Sequence, residues 1–162
     1  MPFTLEDALL LNRFPGLSRS HFRTTSESTP RYNCIAWAAQ ETDRFWWPAD
    51  HAGAFWPAGI AREETIDAFV AAFATKGFAV CSESTLEPGF EKIAFYVDRP
   101  NHPTHAARQL ADGRWTSKLG RGIDIEHDEL ESLEGPSAYG TVAVYLKRPV
   151  AAPDQATVTK AS

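Results

Sequence analysis

The spacing of apolar residues separates a helical first half of the chain from a second half rich in strands. Over 65–76 apolar residues recur at the spacing of one helical face, which predicts a helix that ends at Gly77. The residues of this face are Ile66, Phe69, Val70 and Phe73. A shorter apolar face predicts a helix over 4–11, with Thr4 as its N-cap.

Short apolar runs and period-two alternation predict strands from residue 78 onwards. These strands cover 78–81, 93–97, 104–110, 114–119, 122–126 and 141–147. The run over 93–97 is apolar on both faces, which is typical of a central strand. A helical turn is predicted over 128–133. Because the helices precede the strands, the pattern predicts an α+β fold with an antiparallel sheet.

The dipeptide Asp112-Gly113 lies between two predicted strands and favours a two-residue hairpin loop. Such a loop pairs Ala111 with Arg114 and so sets the register of both strands. In this register Lys118 lies diagonally across from His105 on the same face of the sheet.

Segments rich in Pro, Gly, Ser and Thr predict the longer loops. The stretch 13–31 contains Pro15-Gly16 and Pro30, and we expect a loop that wraps a surface or borders a site. The segment 150–162 shows no periodicity and is predicted to be a flexible tail. The remainder, 1–149, is predicted to form a single domain.

Composition and charge narrow the classes of function. The 162 residues are 43% hydrophobic, enough for an ordinary core. The formal net charge is −5 and Lys and Arg form no run, so binding to nucleic acid is not expected. The N-terminal residues lack a basic leader, and no apolar run reaches membrane-spanning length. These features predict a cytoplasmic protein without a membrane partner, unless export uses a route without a cleaved signal.

Two segments carry candidate chemistry. Tyr32-Asn33-Cys34-Ile35-Ala36-Trp37-Ala38-Ala39 predicts a short helix with Asn33 as N-cap and Cys34 at its first position, where the helix dipole favours a thiolate. Thr104-His105-Ala106-Ala107-Arg108 places His105 at the head of a strand. A histidine beside a thiol can take its proton and return it to a leaving group, so these segments predict a cysteine hydrolase.

Structural interpretations of the same residues remain open. A free cysteine is most often a small buried apolar residue, which is how we interpret Cys81 within its predicted strand. His105 also fits a surface histidine in a loop that contains His102 and Pro103. Zinc ligation lacks the usual Cys and His spacings, so no metal or cofactor is expected. The residues weighed as zinc ligands are His51, His102, His105, His127, Cys34 and Cys81.

A third polar group would orient the imidazole of His105, and the sequence offers two candidates. His127 and Asp124 both follow the predicted hairpin and could fold back towards the site. The backbone N–H of Cys34 would stabilise an oxyanion, with a second donor from Asn33 or Tyr32. The side chains expected to line a substrate groove are Trp37, Trp46, Trp47, Trp56 and Lys118, with Lys118 or Arg108 receiving a carboxylate.

Short motifs over about residues 5–148 resemble a poorly characterised bacterial family that is similar to the NlpC-type branch of papain-like cysteine peptidases. The motifs are the Cys34 helix, Trp46-Trp47-Pro48, Phe55-Trp56-Pro57, Glu91-Lys92-Ile93-Ala94, Thr104-His105-Ala106-Ala107-Arg108-Gln109, Trp115-Thr116-Ser117-Lys118-Leu119-Gly120, Ile125-Glu126-His127 and Tyr139-Gly140. The resemblance implies N-terminal helices packed on a small antiparallel sheet, with Cys34 as nucleophile and His105 as base. The chain departs from the NlpC pattern around 118–121, where the usual third His, Asn or Gln is not evident, and at Ile35-Ala36-Trp37, where small residues often stand.

The sequence and the resemblance together predict a thiol-dependent hydrolase that cleaves an amide through an acyl-enzyme on Cys34. Its substrate would be a peptide, a cell-wall stem peptide or a side-chain amide. Two alternatives stay open: an acyltransferase or glutamine deamidase that uses the same residues, and a non-catalytic binding module.

Overall fold

The computed structural model describes residues 5–19, 22–50, 52–119 and 122–150. Within these ranges the chain forms a mixed α+β structure that is dominated by one antiparallel sheet, as the pattern predicts. The elements are α1 (Leu5–Arg13), a first 3₁₀ helix (Pro15–Arg19), β1 (Phe22–Ser26), α2 (Cys34–Ala38), α3 (Ile66–Ala74), β2 (Ala79–Cys81), β3 (Phe90–Arg99), β4 (His102–Gln109), β5 (Trp115–Lys118), β6 (Asp124–His127), a second 3₁₀ helix (Leu130–Leu133) and β7 (Thr141–Pro149). The predicted tail, apart from Val150, lies outside the described residues.

The seven described strands form a single sheet in the order β1-β6-β5-β4-β3-β7-β2. Every neighbouring pair is antiparallel. β3 pairs with β4 on one side and with β7 on the other, and its residues 92–96 are buried. The prediction of a central strand over 93–97 is confirmed.

α3 begins at a capping residue and ends before a glycine. The Thr65 hydroxyl accepts the Ala68 N–H at 3.1 Å at the start of α3, and Gly77 follows the helix with φ of 90°. α1 ends at Arg13, beyond the predicted end, and Thr4 lies outside the described residues. No described helix is both long enough and apolar enough to cross a membrane.

The stretch 13–31 corrects the sequence prediction of a loop. It contains the first 3₁₀ helix and β1, which pairs with β6 at the edge of the sheet. The three central residues of β1 are all exposed, so no alternation of apolar and polar positions marks it as a strand. Its pairing partner lies about a hundred residues later, and local sequence carries no information about such a contact.

Two hydrophobic cores lie against the sheet. The first core joins α2, α3 and the aromatic segment 45–56 to the sheet, and its most buried members include Ile35, Trp46, Phe69, Phe73 and Phe95. The second core includes Phe14, Leu17, Tyr96, Ile125 and Tyr139. Because Phe95 and Tyr96 are neighbours on β3, the strand contributes its alternate residues to the two cores.

Candidate active site

Asn33 fixes the start of α2. Its side-chain oxygen accepts the N–H groups of Ala36 and Trp46, each at 3.1 Å, and its side-chain nitrogen donates to the Trp46 carbonyl at 2.7 Å. The predicted N-cap is confirmed. The amide expected to assist an oxyanion is therefore bonded to the helix and to the aromatic segment.

The Cys34 side chain is buried. Only 7% of the residue is exposed, and the backbone N–H groups of Cys34, Ile35 and Ala106 act on the thiol by lowering its pKa. These donors favour the thiolate, but burial outweighs them and raises the pKa of the Cys34 thiol to about 11. The sequence predicts a lowered pKa from the helix dipole, whereas the buried thiol is protonated at neutral pH.

His105 is fully buried, and aromatic rings surround its imidazole. The ring of Tyr139 stacks on it with centroids 4.0 Å apart and planes inclined by 2°, and Tyr96 meets it edge-on at 5.2 Å. Neither imidazole nitrogen has a hydrogen-bond partner among the described residues. Burial lowers the pKa of His105 well below 6.5, and the charges of His127 and Arg13 lower it further.

The two predicted catalytic residues lie on opposite sides of β4. Ala106, whose backbone N–H lowers the pKa of the Cys34 thiol, directly follows His105. The imidazole packs against Tyr96 and Tyr139 of the second core, whereas Cys34 belongs to the first core. Within the described residues no hydrogen bond joins the sulfur to the imidazole. The structure therefore does not join Cys34 and His105 in a hydrogen-bonded dyad.

The hairpin between β4 and β5 has a three-residue loop, and not the two-residue loop that Asp112-Gly113 predicts. The Leu110 N–H donates to the Arg114 carbonyl at 2.6 Å, so this pair closes the loop. Gly113 has φ of 93° and donates its N–H to the Leu110 carbonyl at 3.0 Å, as is common in such loops. The predicted pairing of Ala111 with Arg114 is wrong by one residue.

A shift of one residue moves every side chain of a strand to the opposite face. Arg108 pairs with Thr116, and continuing this register places Lys118 opposite Ala106. Lys118 therefore lies on the face that α2 covers, beside the thiol, and not on the face of His105 as the sequence predicts.

Lys118 is a buried cation at this site. The residue is 0% exposed, its ammonium donates to the Gly122 carbonyl, and it lies 5.1 Å from the centre of the Tyr32 ring. Burial lowers the pKa of Lys118, while Asp124 and the Cys34 sulfur act in the opposite direction. The positive charge of Lys118 in turn lowers the pKa of Cys34.

Asp124 belongs to the Lys118 side of the sheet. One of its carboxylate oxygens accepts the Tyr32 hydroxyl at 2.6 Å and also the Ser26 hydroxyl, and the other has no partner among the described residues. Burial and this bond to Asp124 raise the pKa of Tyr32. The two residues therefore hold each other in place, and Asp124 makes no hydrogen bond to His105.

His127 lies on the opposite face, where both ring nitrogens are engaged. One lies 2.9 Å from the Ser117 hydroxyl and the other 2.9 Å from the Glu129 carbonyl oxygen. Burial lowers the pKa of His127 to about 4. Neither residue expected to orient His105 bonds to it, and the stacked Tyr139 ring is what contacts the imidazole instead.

Comparison with protein families identifies the chain. A family model described as a domain of unknown function, DUF7689, matches residues 23–147. The chain belongs to the DUF7689 family. The matched range runs from β1 into β7 and includes Cys34, His105 and Lys118. Neither a search of curated proteins nor a search of solved structures found a match.

The tryptophans expected to line a groove of this DUF7689 domain have different environments. Trp46 and Trp56 are buried in the first core, so that expectation is wrong for both. Trp47 is half-buried and meets Phe69 edge-on at 5.5 Å. Trp37, also half-buried, stacks on Tyr32 with ring centroids 5.6 Å apart. It is therefore the groove candidate that lies nearest to Cys34 along the chain.

Sequence reasoning missed Tyr139 and the Ala106 N–H as parts of the site. Local sequence marks Tyr139 only as half of the motif Tyr139-Gly140, because nothing local connects a turn before β7 to β4. The backbone donor could be found only from the way α2 packs on the sheet. His51, weighed as a zinc ligand, lies outside the described residues.

Proposed function

We propose that this DUF7689 domain is a thiol-dependent hydrolase of the cysteine peptidase or amidase type. Cys34 is the nucleophile, and His105 is the general base and then the general acid. The proposal includes a papain-like relation between α2 and the sheet, in which a cysteine at a helix start approaches a histidine on a strand. The substrate class is a peptide or another amide.

The observation that supports the proposal is a buried imidazole without a hydrogen-bond partner on the strand that packs against the cysteine helix. Leaving a buried polar group unpaired costs about 1–3 kcal/mol, and such groups in folded proteins call for an explanation, a catalytic role among them. Both nitrogens of His105 are unpaired among the described residues, and the backbone N–H of the next residue lowers the pKa of the Cys34 thiol. The proposed reaction requires the imidazole to reach the sulfur from the opposite face of β4.

In the acylation step the Cys34 sulfur bonds to the amide carbon while its proton passes to a nitrogen of His105. The C–N bond then breaks, and His105 gives this proton to the leaving amine. In the deacylation step water attacks the thioester and gives one proton to His105. That proton returns to the sulfur as the C–S bond breaks and the carboxylic acid leaves.

Lys118 supplies the positive charge for this chemistry. Because the pKa of the Cys34 thiol is about 11, negative charge develops on the sulfur only as the reaction proceeds. An ammonium on the same face of the sheet stabilises that charge in a site with little water. The backbone N–H of Cys34 is the proposed donor to the oxyanion.

A second candidate is the non-catalytic binding module. The 7% exposure of Cys34 and its raised pKa favour it, because both are ordinary for a structural cysteine. In that role the sulfur fills space between α2 and β4, and the unpaired imidazole has no chemical task.

Acetylation by p-nitrophenyl acetate separates the two candidates. We expect a burst of p-nitrophenolate and one acetyl group on Cys34, located by peptide mass spectrometry, at a rate above that of Cys81. Burial alone predicts the opposite order of rates, because Cys34 is the more enclosed of the two free thiols. In a Cys81→Ser background, His105→Gln should slow acetylation and deacetylation by about a hundredfold or more.

Circular dichroism and thermal melting show whether each variant folds, and Cys34→Ser provides the blank. If Cys34 reacts no faster than Cys81, or if folded His105→Gln reacts like its parent, the hydrolase proposal fails and the binding module is favoured. Once acylation is established, ammonia release from glutamine peptides without chain cleavage would assign deamidation instead of peptide hydrolysis.

A further inference from the structure

A cavity of about 510 Å³ lies where the segment 86–91 meets the end of β4. Much of its wall is apolar and reachable from solvent, since Leu86 and Val150 are each 48% exposed. The apolar residues that line it are Leu86, Pro88, Phe90, Leu110, Ala111 and Val150. Arg108 also lines it and is the cation among its lining residues.

Arg108 is held from one side by Trp37, and its charge is attracted to Glu91 and Asp124 without an ion pair to either of these described residues. Its guanidinium carbon lies 4.9 Å from the centre of a ring of Trp37, whose indole N–H donates to the Thr116 hydroxyl at 3.0 Å. The Arg108 Nε atom is buried without a hydrogen-bond partner, and no described carboxylate forms an ion pair with the guanidinium. The planar guanidinium of Arg108 therefore packs on the Trp37 ring and keeps N–H donors that no described residue uses.

The carboxylates in the same wall are already neutralised. Glu91 accepts from Arg148 at 3.1 Å, and Glu87 accepts from Lys147 at 2.8 Å. With these partners counted, the cavity carries an excess of positive charge through Arg108, although the whole chain is net negative. The local charge therefore complements an anionic ligand.

We propose that this cavity binds a ligand that combines a free carboxylate with an apolar body. The carboxylate binds the guanidinium of Arg108, whose paired N–H groups match two carboxylate oxygens. The apolar body lies against Leu86, Phe90 and Leu110. This binding site is independent of the reaction proposed at Cys34, and it can be present in either a hydrolase or a binding module.

Isothermal titration calorimetry with hexanoate, hexanamide and inorganic phosphate tests the site. Hexanoate should bind the wild-type chain, and hexanamide, which has the same body without the charge, should bind at least about tenfold more weakly. Arg108→Met should lose at least about tenfold in hexanoate affinity, and Arg108→Lys should retain part of it. Leu86→Glu should weaken binding similarly by placing a negative charge in the wall.

Arg99→Met is the matched control, because Arg99 lies at the far end of β3 from Phe90 and does not line the cavity. Its hexanoate affinity should equal that of the wild type. Thermal melting checks the fold, and Leu86→Glu keeps the test decisive if Arg108→Met unfolds. Equal affinity for hexanoate and hexanamide, no binding of hexanoate, or unchanged binding by folded Arg108→Met would overturn the proposal. Phosphate binding that equals or exceeds hexanoate binding would overturn it in favour of an inorganic anion site.

Discussion

At the scale of single residues, the Cys34 thiol depends on Lys118 for its electrostatic environment. Replacing Lys118 with Met removes the ammonium that lowers the pKa of Cys34 and leaves burial unopposed by charge. We expect the thiol pKa to rise and alkylation by iodoacetamide at pH 8.5 to slow by about tenfold. The measurement is the pH dependence of alkylation in a Cys81→Ser background.

Lys92→Met is the control for this change, because Lys92 is another lysine buried on the sheet, with 2% exposure, and it bonds to the Glu83 carbonyl. It should leave the alkylation profile of Cys34 unchanged, and Lys118→Arg should restore most of the rate by keeping the charge. Identical profiles for folded Lys118→Met and its parent would show that Lys118 has no electrostatic role.

At the scale of elements, the helices could be predicted from local sequence, whereas the sheet could be predicted only in part. Asn33 caps its helix as predicted, because a cap forms between residues three apart in sequence, and Thr65 caps α3 in the same way. The register of β4 and β5 depends instead on whether Ala111 belongs to the strand or to the loop. A two-residue loop and a three-residue loop both suit Asp112-Gly113, and the packing of the sheet decides between them.

That one-residue choice determines the candidate site. The wrong register puts Lys118 beside His105, and the observed register puts it beside the thiol. Local sequence does not reveal β1 for a related reason, since its exposed residues pair with a distant strand. Cys34 and His105 could be proposed from sequence because helix starts and strand patterns are local, although β4 begins at His102 and His105 lies within it and not at its head. Their placement on opposite sides of β4 could not be predicted, because it depends on how α2 lies on the sheet.

Gly140 joins the second 3₁₀ helix region to β7, and its replacement by Ala should be costly. Its φ is 87°, and a Cβ there would lie 2.0 Å from the Val97 carbonyl oxygen. Gly89 has a similar φ of 85° with nothing within 4 Å of its Cβ. We expect Gly89→Ala to lower the free energy of unfolding by about 1 kcal/mol and Gly140→Ala by about 3 kcal/mol or more.

Urea denaturation of both variants measures this difference. Because Gly140 follows Tyr139, which stacks on His105, Gly140→Ala should also change the acetylation rate of Cys34, whereas Gly89→Ala should not. Equal destabilisation by the two changes would mean that the approach of Gly140 to β3 does not constrain the fold.

At the scale of the whole molecule, one sheet separates two cores that hold different chemistry. The first core encloses a thiol beside Lys118, and the second encloses two histidines that are kept neutral by burial. Since β3 and β4 contribute residues to both cores, a charge that forms in one core acts on the stability of the entire sheet.

Stability should therefore fall as the histidines are protonated. The pKa of His127 is about 4 in the folded chain and about 6.5 when unfolded, so the unfolded state binds more protons between these pH values. Neutral His127 therefore contributes on the order of 3 kcal/mol to the free energy of unfolding. This contribution is complete above pH 6.5 and is lost as the pH falls towards 4. His105 acts in the same direction. Urea denaturation at pH 7.5 and 4.5 should show a smaller loss in His127→Gln than in the wild type, and an equal loss in both would contradict a neutral, buried His127.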